Sequence, residues 1–183
     1  MERFILAKDD AVLVIVDIQE RLAAVMAQRQ KVLDNCRHLI EAAKLLSIPI
    51  VLNEQYPKGL GPTVPEIREA LPAYAPHEKI TFSCCRDGSF SGKFAELKRK
   101  KVILVGMEAH VCVLQTCIDL LRQGLQVHMV QDSTCSRTEE NFRIGIECMR
   151  DAGAVITCTE TVLFQLLERG GTEEFKAISK RIK

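Results

Sequence analysis

Six short stretches with strand character, separated by segments of helical period, constrain this 183-residue chain more than any other feature. They fall at 11–16 (AVLVIV), 48–52 (IPIVL), 77–82 (HEKITF), 102–105 (VILV), 125–130 (LQVHMV) and 154–158 (AVITC). These are strand lengths, and runs such as AVLVIV and VILV lack the polar alternation of a half-exposed strand, so both of their faces are buried. Between the first two, Val32, Cys36, Leu39, Ile40, Ala43 and Leu46 recur at helical spacing and mark an amphipathic helix over 31–46. Further helices are expected over 90–99, 139–151, 161–168 and 173–182, with a helical turn at 66–71. Strands alternating with helices through mostly brief connections define an α/β protein, a parallel sheet covered by helices on both faces. The length fits one domain, 1–183.

The stretch 101–123, KVILVGMEAHVCVLQTCIDLLRQ, reads as strand, tight turn and helix, with Gly106 ending the strand. Leu114, Cys117, Ile118 and Leu121 form the expected inner stripe of that helix. Cys112 falls off the stripe, on the polar side with Thr116, Asp119 and Gln123. There, in the first helical turn, free backbone N–H groups and the helix dipole favour a thiolate, which would alkylate ahead of the other cysteines. Position alone leaves two readings open, a nucleophile or one more small apolar residue.

Composition excludes several classes. The net charge is +1 with Lys and Arg scattered among Asp and Glu, so no nucleic-acid or anionic-membrane surface is expected. The one basic run, Lys98 to Lys101, reads as solvated structure at a helix end. Eight cysteines without a Cys-x-x-Cys pair make neither a disulfide framework nor a zinc site, and free thiols imply a reducing compartment. No stretch approaches about twenty apolar residues and no secretory signal opens the chain, so the expectation is a cytoplasmic protein without a membrane partner.

In parallel α/β sheets ligands bind beyond the carboxyl ends of the strands. Asp17, Cys112, Asp132 and the segment 53–65 (NEQYPKGLGPTVP) all fall on that side, and the proline- and glycine-rich segment reads as a lid-like loop. Taken singly, Asp17 is also a helix cap and Lys79 also an exposed lysine on an edge strand. His110 reads as pocket lining or surface.

Together the residues resemble the isochorismatase-like cysteine hydrolases. The resemblance rests on VIVDIQ at 14–19, on Lys79 ahead of Phe82, on VGMEAHVCV at 105–113, on Asp132 with Ser136 and Arg137, and on Ala152-Gly153-Ala154 followed by Thr159-Glu160. The NEQYPKGLG segment and the LFQLL tail look most like the isochorismatase domain-containing branch. The resemblance implies a three-layer Rossmann-like fold with a six-stranded parallel sheet of order 3-2-1-4-5-6. It implies a catalytic triad of Asp17, Lys79 and Cys112, an oxyanion hole at the Glu108 and Cys112 amides, and a cis Met107–Glu108 peptide. Gln19, Gln55, Tyr56, Phe82 and His110 become the candidate substrate-binding residues.

Two departures shape the expected chemistry. Asn53, Glu54 and Gln55 stand where nicotinamidases carry metal ligands, so no metal and no cofactor is implied. Ala109-His110 replaces the usual Thr-Asp pair before the nucleophile. True isochorismatases lack the cysteine, so the expected activity is hydrolysis of a small-molecule amide or carbamoyl C–N bond through a Cys112 thioacyl intermediate, in a homo-oligomer. The alternative is a catalytically idle binding module.

Overall fold

The computed structural model describes residues 1–182. Six strands form one all-parallel sheet: β1 (Ala11–Val16), β2 (Ile50–Gln55), β3 (His77–Lys79), β4 (Lys101–Met107), β5 (Gln126–Cys135) and β6 (Val155–Thr157). Their spatial order is β3-β2-β1-β4-β5-β6, as the resemblance implies. The helices are α1 (Glu20–Ala23), α2 (Arg29–Leu45), α3 (Pro57–Leu60), α4 (Pro65–Arg68), α5 (Gly88–Leu97), α6 (Leu114–Arg122), α7 (Glu139–Asp151), α8 (Thr159–Leu167) and α9 (Glu173–Ser179).

Alternation along β1 explains the three layers. Leu13 and Ile15 pack with Leu33, Ile40, Leu163 and Leu166 of α2 and α8 on one face. Val12, Val14 and Val16 pack with Phe90, Val113, Leu120 and Met149 on the other. Both strand faces are therefore dry, which is why β1 and most of β4 read as unbroken apolar runs.

Several boundaries depart from the sequence reading, each for a local reason. Strand β4 continues through Gly106 to Met107 because Gly106 lies against the neighbouring strand: a Cβ there, at φ 135°, would stand 2.1 Å from the Val16 carbonyl oxygen. Strand β2 runs on to Gln55, so Asn53, Glu54 and Gln55 belong to the sheet and not to a loop. The rest of 53–65 holds the one-turn helix α3 and an antiparallel bridge from Thr63 to Gln19. Strand β5 reaches Cys135, taking in half of the segment expected as a loop; its register against β4 jumps between Leu104↔Met129 and Gly106↔Thr134, bulging the residues between. The basic run is not wholly solvated either, since Lys101 is buried and donates to the carbonyls of Glu2 and Ile5.

Candidate active site

At the end of β1 the chain turns through Asp17, whose φ of 52° is in the left-handed region that Asp tolerates. Its carboxylate is fully buried at the carboxyl end of the sheet, where Lys79 arrives from the end of β3. Lys79 Nζ lies 2.7 Å from Asp17 Oδ2, 2.9 Å from Gln55 Oε1 and 3.1 Å from the Phe82 carbonyl oxygen. An ammonium has three donors, and all three are spent within the protein. Lys79 therefore acts on its surroundings through its charge and has no N–H left for a ligand.

Burial raises Asp17 above the usual carboxylate range, with the adjacent Lys79 ammonium opposing it. Burial alone would lower Lys79, but the Asp17 charge, joined by Cys84, Cys112 and the hydrogen bond to Asp17, outweighs it and the net shift is upward. The pair is thus a buried ion pair whose carboxylate is more basic than one in water. Among the described residues Asp17 Oδ1 has no conventional hydrogen-bond partner, and the Cys112 thiol is close enough to interact with this carboxylate.

Cys112 sits in a π-helical turn, Ala109–Val113, that links β4 to α6, not in a first α-turn as periodicity suggests. The buried ridge of the helix that follows is Cys117 and Leu120, continuing from Val113 in the turn, while Leu114, Ile118 and Leu121 are only half-buried. The side carrying Thr116 and Asp119 is not solvent-facing. The segment after β3 covers it, with Cys84 N–H donating to Thr116 Oγ1 and Arg86 pairing with Asp119 at 2.9 Å. Cys112 shares that covered side and is 6% exposed.

This burial overturns the expected thiolate. Desolvation first, and the Asp17 charge second, push the Cys112 thiol well above the usual thiol range, so it rests protonated. Cys148 is exposed and Cys158 half-exposed, so bulky alkylating reagents reach those thiols before Cys112.

The Met107–Glu108 peptide is cis, as the resemblance implies. Beyond it the Glu108 carbonyl accepts from the Val111 and Val113 N–H groups, and Glu108 Oε1 accepts from Arg137 N and Nε at 3.1 and 3.0 Å.

Two residues expected to bind substrate have other work. Gln19 is fully buried, with Nε2 donating to the Gln55 and Gly61 carbonyls and Oε1 accepting from Gln55 N–H. Gln55 orients Lys79 and donates to the Ile80 carbonyl. Both lie at the Lys79 end of the sheet, and their amides are consumed in bonds within the protein. His110 Nδ1 is 3.0 Å from Ser136 Oγ, which ties the turn to the end of β5. Tyr56 and Phe82 stay about half exposed beside Lys79: the Tyr56 N–H donates to the Lys79 carbonyl, and the Phe82 carbonyl accepts from Nζ.

Sequence reading missed the clamp beneath this rim. Glu54 is buried, and its Oε1 accepts from Thr63 N, Thr63 Oγ1 and Tyr74 Oη, each at 2.6 Å. The segment expected as a lid is thereby pinned to β2. A Glu facing a Thr and a Tyr within twenty residues was the available signal. A separate cavity of about 740 Å³ lies at the ends of β5 and β6, lined by Lys31, Thr134, Ser136, Phe142 and Arg150 among others. Asp17, Lys79 and Cys112 do not line it.

A six-stranded all-parallel sheet in this order, with helices on both faces, is the frame of an isochorismatase-like protein. The isochorismatase domain matches residues 11–161, and the chain belongs to that family. It is 40% identical over 177 residues to the secreted isochorismatase effector Isc1 of Phytophthora sojae, covering 94% of this chain and 84% of that one. It is 37% identical over 175 residues to isochorismatase domain-containing protein 2 of Danio rerio, covering 96% and 88%. Among solved structures, the MAR1 ribonuclease of Caenorhabditis elegans superposes with a TM-score of 0.90 at 39% identity, covering 97% of this chain and 91% of that one. Among the described residues no helix is long and apolar enough to cross a membrane.

Proposed function

We propose that the chain, acting as one hydrolase domain, cleaves a C–N amide or carbamoyl bond of a small molecule through a thioacyl intermediate on Cys112. The observation that carries this reading is the buried Asp17–Lys79 pair, 2.7 Å apart, beside the Cys112 thiol. Asp17 takes the thiol proton as Cys112 Sγ attacks the carbonyl carbon, and the Glu108 and Cys112 amides receive the developing oxyanion. The C–N bond then breaks, and the proton passes from Asp17 to the leaving nitrogen. In the second half Asp17 takes a proton from water, the hydroxide attacks the thioester, and the carboxylic acid leaves as the proton returns to sulfur. Lys79, with no free donor, holds Asp17 ionised between these steps.

This protonation state favours concerted transfer over a standing thiolate. A thiol kept neutral by burial matches a carboxylate made more basic by burial, so the proton moves as the nucleophile attacks. The free cysteines support a reducing, cytoplasmic setting for this chemistry.

The nematode neighbour's name raises RNA cleavage as a rival. The observations here favour a small molecule: the exposed side chains of Tyr56, Ile80 and Phe82 near Lys79 are apolar or aromatic, and the charged neighbour Glu78 is acidic. The basic run stands at the opposite end of β4, a seven-residue strand or roughly 20 Å away.

The test is a panel of amides, carbamoyl compounds and short RNA oligonucleotides, read by product formation and by intact mass after acid quench. The expected result is turnover of an amide or carbamoyl compound, with an acyl adduct mapped to Cys112 and both lost in Cys112→Ala at unchanged thermal stability. Turnover that survives Cys112→Ala, RNA cleavage in its place, or no product from any member would overturn the reading, the last in favour of a binding module.

A further inference from the structure

The turn that carries Cys112 is gripped from one side by the segment between Ser136 and Gly145. We propose that this segment is a buttress that fixes the position of Cys112 and that Gly145 on α7 is its key positioning residue; the proposal rests on the reading of Cys112 as nucleophile.

Gly145 lies in the middle of α7 on its buried face, beside Ile146 and Met149. It is not among the residues with positive φ, so the backbone conformation does not require glycine. An internal helical glycine costs about 1 kcal/mol relative to alanine, so another reason must hold it there. That reason is contact. A Cβ at position 145 would stand 2.9 Å from Ala109 C, 2.9 Å from His110 N and 3.0 Å from Ala109 O. All three are backbone atoms of the π-helical turn, and no rotamer change relieves such a clash.

Three further hydrogen bonds, made by two residues, hold the same turn. Arg137 N and Nε bind Glu108 Oε1, and Ser136 Oγ bonds His110 Nδ1. Glu108, Ala109 and His110 are thus fixed in succession, ending two residues before Cys112. Among the described residues the Cys112 side chain has no comparable tether of its own beyond its place beside Asp17. Where Sγ stands relative to Asp17 and to the Glu108 amide therefore follows from how closely α7 approaches. The arrangement has the form of a rigid shell supporting a reactive group.

The test compares Gly145→Ala with Gly92→Ala in the full chain. Gly92 is also helical, but a Cβ there meets nothing within 4 Å. Because displacements near 1 Å can cost about a hundredfold in rate, Gly145→Ala is expected to lower kcat by about tenfold or more while KM stays within about threefold. Gly92→Ala is expected to match wild type. A second readout, needing no substrate, is the iodoacetamide labelling rate of Cys112 followed by peptide mass spectrometry, expected to change in Gly145→Ala and not in Gly92→Ala. Wild-type kcat and labelling in a folded Gly145→Ala protein would overturn the proposal. If that variant does not fold, Arg137→Gln, which loosens Glu108 without adding volume, takes its place; a kcat loss beyond about threefold supports the buttress and an unchanged kcat overturns it. Activity that persists in Cys112→Ala marks failure of the functional reading instead, so the two failures are distinguishable.

Discussion

Along β1, Leu13 and Ile15 point to one face of the sheet and Val12, Val14 and Val16 to the other, yet the two cores they enter differ in kind. The first, beneath α2 and α8, is built mainly from large aliphatic side chains such as Leu33, Ile40, Leu163 and Leu166. The second, beneath α5 to α7, mixes Val and Phe with the thiols of Cys84, Cys112 and Cys117 and lies against the buried Thr116. Aliphatic packing gives the most stability per buried area, although this face also buries the thiols of Cys36 and Cys135 and the imidazole of His128. The second face gives up some of that to hold a thiol and the polar contacts around it. The comparison teaches that one face of this sheet secures the fold by aliphatic packing while the other holds the thiol to which we assign the chemistry, with the buried Asp17–Lys79 pair at the shared end.

The largest expected effect comes from breaking that shared end. Lys79→Met removes the charge and leaves Asp17 buried without its partner, which costs about 3 to 5 kcal/mol at neutral pH and abolishes turnover. The sign with pH is fixed by Asp17. Unopposed burial raises its folded pKa further above the unfolded value, so the folded state binds the extra proton and the variant loses stability as pH rises from about 4. Urea midpoints of the variant at pH 5 and pH 8 check this; a variant equally stable at both would show that Asp17 is not dependent on Lys79.

A smaller, more selective effect is expected from the aliphatic face. Leu163→Ala, at a site with no exposure, should cost about 3 kcal/mol of stability while kcat at a permissive temperature stays at wild type. Thermal unfolding and steady-state kinetics on the same preparation decide it. A parallel loss of kcat would mean that the two faces are not separable and that the aliphatic core also sets the site.

Much of this division was legible in the sequence, and the exceptions have physical causes. Run length and period marked the six strands and the long helices, because burial on both faces leaves an unmistakable apolar run. Asp17, Lys79 and Cys112 were legible as a set only through the family pattern, since each alone has an ordinary structural role. The surroundings of Cys112 were misread because period cannot report a π-helical turn, nor the chain segment at 83–87 that covers the polar side of α6. Gly145 and Gly106 were opaque as contact residues: their signal is the absence of a side chain, which becomes meaningful once the backbone of Ala109 or Val16 is seen against them. Gln19 and Gln55 were marked by pattern, but whether an amide faces a ligand or the protein depends on partners distant in sequence.

The finest test concerns a titratable group on the aliphatic face. His128 in β5 is in register with Ile103 of the aliphatic core and is 1% exposed, and its Nε2 has no hydrogen-bond partner among the described residues. Burial first, and the nearby Lys101 charge second, push its pKa down to about 4. An unfolded histidine titrates near 6.5, so between about 6.5 and about 4 the unfolded chain binds a proton that the folded chain refuses. Stability attributable to His128 is therefore complete above about pH 6.5 and declines as pH falls toward 4. His128→Phe removes the proton binding and fills a similar volume, so the variant's urea midpoint should change less than wild type's between pH 7 and pH 5. A purely aliphatic face would show no such difference. If the two proteins lose stability in parallel over that range, the acid sensitivity belongs to carboxylates elsewhere, and the aliphatic face is inert to pH as well as to chemistry.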